Sequence, residues 1–138
     1  MNRTDEVIAR LEAAGVQPSA QRIAVASYVL YTEAHPSADQ VHAAVMQARH
    51  TPMLSRATVY NTLNLLCERG LLKQLTLAEG KVVFDPVLER HHHFIDEATG
   101  RIHDIPWEQV KVSEPTPPPG FEVSEYQVVM RGRRTRSR

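Results

Sequence analysis

At 138 residues the chain is one domain of ordinary size or two small ones, long enough to bury a core, and none of its apolar runs approaches the roughly 18 residues of a membrane span. The start, MNRTDEVIARLEAAG, lacks the apolar stretch of a signal peptide, so the expected setting is the cytoplasm with no membrane partner; a single cysteine, Cys67, excludes an internal disulfide framework and an all-thiolate zinc site within one chain. The net charge of zero conceals segregation: residues 1–82 carry 8 Lys/Arg against 7 Asp/Glu, residues 83–130 carry 3 against 9, and the tail RGRRTRSR holds five arginines, so the acidic middle suits a cation better than a nucleic acid.

A first amphipathic helix is expected from Thr4 as N-cap, with Val7, Ile8, Leu11 and Ala14 on one face and Gly15 as its end. A second follows over residues 19–33, capped by Ser19, with Ile23, Ala26, Val29 and Leu30 at helical spacing and His35-Pro36 as the stop. Ser37 and Gln40 form a capping box for a third helix carrying Val41, Ala44 and Val45. After the loop HTPML, SRATVYNTLNLLCERG reads as a fourth helix, with Ser55 as cap, Val59, Leu63 and Leu66 inward and Gly70 at C′.

Two β-prone runs, residues 71–77 and 81–85, then flank a turn at Ala78-Glu79-Gly80. Short helices closed by a hairpin are the pattern of a winged helix-turn-helix. The remainder changes character: residues 91–96 and 101–105 read as strands, 107–112 as a short helical turn, PTPPPG as a rigid link and FEVSEYQVVM as an alternating strand. The expected class is therefore α+β, with a winged-helix unit at 1–84, a small α/β dimerisation and metal-sensing unit at 85–130, and a disordered basic tail at 131–138.

On the fourth helix the face opposite the apolar stripe carries Arg56, Thr58, Tyr60, Asn61 and Asn64, groups able to contact phosphates or base edges. Ser55 and Arg22 complete the candidate DNA-facing set. Neutral overall charge implies weak non-specific affinity, which a two-fold homodimer on double-stranded DNA would offset by doubling the contacts. Cys67, beside Leu66, reads as a small buried hydrophobe.

The stretch FDPVLERHHHFIDEATGRIHD holds four of the seven histidines. On a strand His91 and His93 share one face while His92 takes the other. Asp104 from the next strand, Asp85 from the end of the wing and His35 from the second helix could reach the same point, and such a nitrogen and oxygen set favours Fe(II), Mn(II) or Zn(II). His42, His50 and His103 read as surface or packing residues. A metalloenzyme is the alternative class, since His91, His93 and Asp104 match the facial triad of non-haem iron oxygenases.

In order and spacing, PSAQRIAV, HPSADQV, SRATVYNTLNLLCERGL, VVFDP, HHHF and GFEVSEYQVV closely resemble the ferric uptake regulator family, from about residue 5 to residue 132. The resemblance implies a metal-dependent repressor, not an enzyme: a homodimer that binds a palindromic, AT-rich operator, with a regulatory metal between the two domains setting the angle of the DNA-reading heads. The family's regulatory ligands fall on His35, Asp85, His91, His93 and Asp104, and aspartate at the last position is similar to the peroxide-sensing branch. That branch implies Fe(II) with a coordination position open to peroxide, oxidation of His35 or His91, loss of the metal and release of DNA; Mn(II) would hold the protein insensitive, and Zn(II) fits the same donors in vitro.

Two departures stand out. Where most members place two CxxC pairs for a structural zinc, this chain has Asp96 and Thr99, then Arg134 and Ser137, so no structural zinc is expected; Arg90, His92 and Lys111 likewise break the family's additional metal site. The missing cysteines and the HHH run also resemble the iron response regulators, which answer to haem, with His91, His92 and His93 as candidate haem ligands. Without a Cys-Pro haem motif the peroxide reading is preferred.

Overall fold

A computed structural model describes residues 2–48, 53–77 and 80–136. His50, Ala78, Glu79 and Ser137 lie outside the described residues. The chain divides into two compact units, residues 1–88 and 89–138, four residues beyond the boundary expected from sequence, so that Asp85 belongs to the first unit.

The first unit is built from α1 (Arg3–Ala13), α2 (Ala20–Val29), α3 (Ala38–Gln47), α4 (Arg56–Glu68), β1 (Lys73–Thr76) and β2 (Val82–Asp85). Helix α1 starts earlier than its sequence signal: Asn2, not Thr4, is the N-cap, its side chain accepting from Asp5 N–H at 2.8 Å. Ser19 and Ser55 cap α2 and α4, and Ser37 with Gln40 closes a complete capping box on α3. Helix α2 stops at Val29 rather than residue 33: Tyr31 N–H turns back to Tyr28 O at 3.3 Å, and beyond it Thr32 Oγ1 accepts from Ala34 N–H in a local turn.

Helices α1 and α4 both end in a Schellman arrangement. Gly15 and Gly70, at φ 77° and 76°, sit at C′, while Val16 N–H donates to Leu11 O at 2.8 Å and Leu71 N–H to Leu66 O at 3.0 Å. The same bond draws Leu71 into the helix end, which is why β1 begins at Lys73. The apolar stripes meet in one core containing Val7, Leu11, Val25, Val29, Val41, Val45, Val59, Leu63, Leu66 and Phe84. Strands β1 and β2 pair antiparallel, Lys73 opposite Asp85, and form the wing after α4.

The second unit holds β3 (His91–Asp96), β4 (Ile102–Pro106), a 3₁₀ turn (Trp107–Gln109) and β5 (Val129–Gly132). The sheet order is β4-β3-β5, antiparallel to β4 and parallel to β5. The last strand is shorter than the alternation of residues 121–130 suggests. Val128 N–H donates to the His92 side chain rather than to the ladder, so regular pairing starts at Val129. It also runs further: Arg131 and Gly132, expected in a disordered tail, belong to β5, and Glu97 N–H donates to Gly132 O at 2.9 Å. No helix among the described residues is long and apolar enough to cross a membrane.

Candidate functional site

In the first unit, His35 occupies the left-handed region at φ 53°, the only non-glycine residue to do so among those described. Such backbone costs of order 1–3 kcal/mol and persists where the surroundings demand it. Phe84 N–H donates to Pro36 O at 2.9 Å, tying the His35-Pro36 corner to the end of β2. His35 Nε2 thereby lies 3.3 Å from Asp85 Oδ2, both side chains buried. The other carboxylate oxygen of Asp85 accepts from Val87 N–H at 2.9 Å, which fixes the group.

In the second unit, His93 on β3 stands opposite Asp104 on β4. His91 Nε2 and His93 Nε2 lie 3.3 and 3.7 Å from the same Asp104 Oδ1, and ligand atoms of the three residues fall within 4.8 Å of one another. Both rings are oriented from behind: His91 Nδ1 is 2.6 Å from Glu89 O and His93 Nδ1 is 3.1 Å from Gln127 Oε1. Those acceptors suit an Nδ1–H on each ring, and in the neutral imidazole that leaves the lone pair on Nε2. Two imidazole lone pairs aimed at one carboxylate oxygen are satisfied by a shared cation, and imidazole with carboxylate suits Fe(II), Mn(II) or Zn(II). The donor set fits such an ion. Gln127 carried no sequence signal, since a glutamine in an alternating stretch reads as a solvated face.

His92 is fully buried on the other face of β3. Its Nδ1 accepts from Val128 N–H at 2.8 Å and its ring stacks on Trp107 at 4.4 Å, with the Arg90 guanidinium also over the indole at 4.0 Å. Burial, then the neighbouring His93, His91 and Arg90, push its pKa down, consistent with a neutral ring. The structure therefore separates His92 from His91 and His93 and does not assemble the three as one ligand group. Arg90 is likewise occupied in cation–π contact. Of the other histidines, His42 Nε2 meets Leu54 O at 2.8 Å and His103 lies on β4 opposite Phe94.

Asp96 and Thr99 form the β3–β4 turn. Asp96 is buried, its Oδ1 accepts from Ala98 N–H at 2.9 Å, and Arg134 Nε stands 4.0 Å from Oδ2. The Ala98 bond chiefly, with bonds from Thr99 and the Arg134 charge, holds this carboxyl below the usual carboxylate range against the cost of burial. Cys67 is half-buried against the core, and burial with Glu68 beside it raises its pKa, which disfavours the thiolate.

Helix α4 buries Val59, Thr62, Leu63 and Leu66 and exposes Arg56, Tyr60, Asn61 and Asn64. Ser55 and Thr58 serve the helix itself: Ser55 Oγ accepts from Thr58 N–H at 3.1 Å and lies 2.9 Å from Thr58 Oγ1. Arg22 donates to Gln17 O at 2.8 Å and lines, with Ser19, Thr58 and Asn61, a groove of about 400 Å³ between α2 and α4. Arg56 lies 3.9 Å from Asp39, an exposed pair that leaves it available for another partner.

The ferric uptake regulator family model matches residues 13–131. The chain belongs to the ferric uptake regulator family. The peroxide-responsive repressor PerR of Staphylococcus aureus (strain USA300) is 34% identical over 110 residues, covering 80% of this chain and 73% of that protein. Among solved structures, the Pseudomonas aeruginosa ferric uptake regulator with manganese covers 94% of this chain and 98% of its own at TM-score 0.66 and 24% identity. The Campylobacter jejuni peroxide stress regulator covers 99% and 98% at TM-score 0.58 and 21% identity; both show likeness of fold. This family member is a metal-dependent DNA-binding transcriptional repressor and not an enzyme, which removes the oxygenase alternative. The haem-responsive alternative is not favoured.

Proposed function

We propose that the chain represses transcription as a homodimer on a palindromic, AT-rich operator, holding one regulatory ion per subunit on His35, Asp85, His91, His93 and Asp104, and that peroxide is its signal. The observation that carries the reading is the convergence of His91 Nε2 and His93 Nε2 on Asp104 Oδ1, with each Nδ1 facing an acceptor. The buried His35–Asp85 pair, held on strained backbone, supplies the remaining nitrogen and oxygen donors. Exposed Arg56, Tyr60, Asn61 and Asn64, with Arg22 at the groove beside them, form the operator-reading surface; Ser55 and Thr58 set the start of the helix.

Fe(II) held by these donors would supply the redox chemistry that lets peroxide oxidise a ligand imidazole, whereas Mn(II) on the same donors would keep the repressor insensitive. In this reading a carbon of the His35 or His91 ring gains one peroxide oxygen in a two-electron oxidation, and the other oxygen leaves as water. The altered ring is a poorer nitrogen donor. Ion affinity falls and the operator is released. No structural zinc is proposed, because Asp96 and Arg134 occupy two of the positions where cysteine would be needed, and their side chains pair with each other.

The test is peptide mass spectrometry after peroxide treatment of protein loaded with Fe(II) or with Mn(II). One added oxygen on the peptide containing His35 or His91, with iron only, is expected. Equal oxidation with both metals, or none with iron, refutes peroxide sensing through this site.

A further inference from the structure

Residues 127 and 128 grip both faces of β3. Val128 O accepts from His93 N–H at 3.0 Å, and Val128 N–H donates to His92 Nδ1 at 2.8 Å. Between those two bonds and the ring of His93, Gln127 places its side-chain oxygen 3.1 Å from His93 Nδ1. We propose that Gln127 is a positioning residue for the metal ligand His93, its amide oxygen accepting from Nδ1–H and so holding the tautomer and rotation that aim Nε2 toward Asp104. The inference rests on reading His93 as a ligand.

The chemistry follows from the ring. A neutral imidazole has one N–H and one lone pair, so an acceptor at Nδ1 commits the lone pair to Nε2. His91 receives the same treatment from a main-chain carbonyl, Glu89 O at 2.6 Å, two residues away. His93 receives it from a side chain 34 residues further along. The acceptor for His91 is thus built into the local backbone, whereas that for His93 depends on the identity of one residue and on the docking of the segment leading into β5. Gln127 is exposed, so core packing gives no reason for its contact. A neutral amide also polarises the ring less than a carboxylate would, which makes this position a control on ligand basicity.

The experiment measures Mn(II) affinity by competition titration, and the Co(II) absorption spectrum at saturation, for the full-length wild type, Gln127→Leu, Gln127→Glu and His93→Ala. His93→Ala should lose tight binding, which tests the site itself. Gln127→Leu should bind Mn(II) about 10–100-fold more weakly with an altered Co(II) spectrum, the usual effect of losing a partner behind a metal ligand. Its thermal unfolding without metal should match wild type. Gln127→Glu, which keeps the acceptor and strengthens it, should restore both affinity and spectrum. If His93→Ala abolishes binding while Gln127→Leu binds like wild type, the positioning role is overturned and the metal site stands. Failure of Gln127→Glu to bind better than Gln127→Leu also overturns it. If His93→Ala binds Mn(II) as tightly as wild type, the ligand assignment falls, and the inference with it.

Discussion

Gly132→Ala places a methyl group where β5 crosses the ring of Phe94. A Cβ built there would stand 2.9 Å from Phe94 Cζ and 3.3 Å from Cε2. Carbon atoms in contact prefer about 3.5–4.0 Å, so the ring or the strand must give way by roughly 0.6–1.1 Å. Overpacking of this kind costs about 1–3 kcal/mol. Opposing it, alanine in a strand is worth about 0.5–1 kcal/mol over glycine. The clash wins by about 1 kcal/mol, near the low end because Phe94 is half-buried and its ring can tilt. Urea unfolding with chelator, at fixed protomer concentration, reads this through Trp107, the only tryptophan, which lies in the same unit. In a Phe94→Leu background the clash is relieved and the same Gly132→Ala change should become neutral or stabilising. An unfolding midpoint for Gly132→Ala at or above wild type, or an equal cost in both backgrounds, refutes the packing argument.

Ser37→Ala removes the N-cap of α3 and one arm of its capping box, and should lower stability by about 1 kcal/mol in urea unfolding followed by far-ultraviolet circular dichroism, which reports the helices of the first unit. Asp104→Asn should weaken Mn(II) binding in competition titrations without lowering the stability of the metal-free protein, since it removes the carboxylate on which two imidazoles converge. Asn61→Ala should lower affinity for a palindromic AT-rich duplex by about 1–3 kcal/mol in gel shifts, while Arg56→Ala should weaken all duplexes alike and reduce the salt slope by about 1. Asp96→Asn should destabilise the protein at neutral pH. Because the folded carboxyl sits below its unfolded value, its contribution is present above the ordinary carboxylate pKa of about 4 and is lost as pH falls through the folded value. The melting difference between Asp96→Asn and wild type should therefore shrink on acidification, and a difference that grows would refute the assignment.

The parts legible in the chain alone were those governed by neighbours in sequence. Ser19, Ser37 and Ser55 announce helix starts because a cap bonds a backbone N–H only a few residues ahead. Gly15 and Gly70 announce helix ends because the left-handed turn that closes the helix favours a residue without Cβ. Period-two alternation alone put His91 and His93 on one face of a strand and His92 on the other. Local signals misled where a side chain competed for the backbone: His92 took the Val128 N–H that an alternating strand would have given to the ladder.

What tertiary structure decided was the set of contacts between residues far apart in sequence. Sequence could nominate His93 as a donor. It could not say which nitrogen is presented, because that depends on Gln127, brought to Nδ1 by the parallel docking of β5 on β3. Nor could it say that Asp96 and Arg134 would face each other once β5 extended into the basic tail, since the pairing depends on register rather than composition. Residue types and their spacing nominated nitrogen and oxygen donors; the fold determined which of their atoms converge, because ring orientation is set by hydrogen bonds that only a folded chain can make.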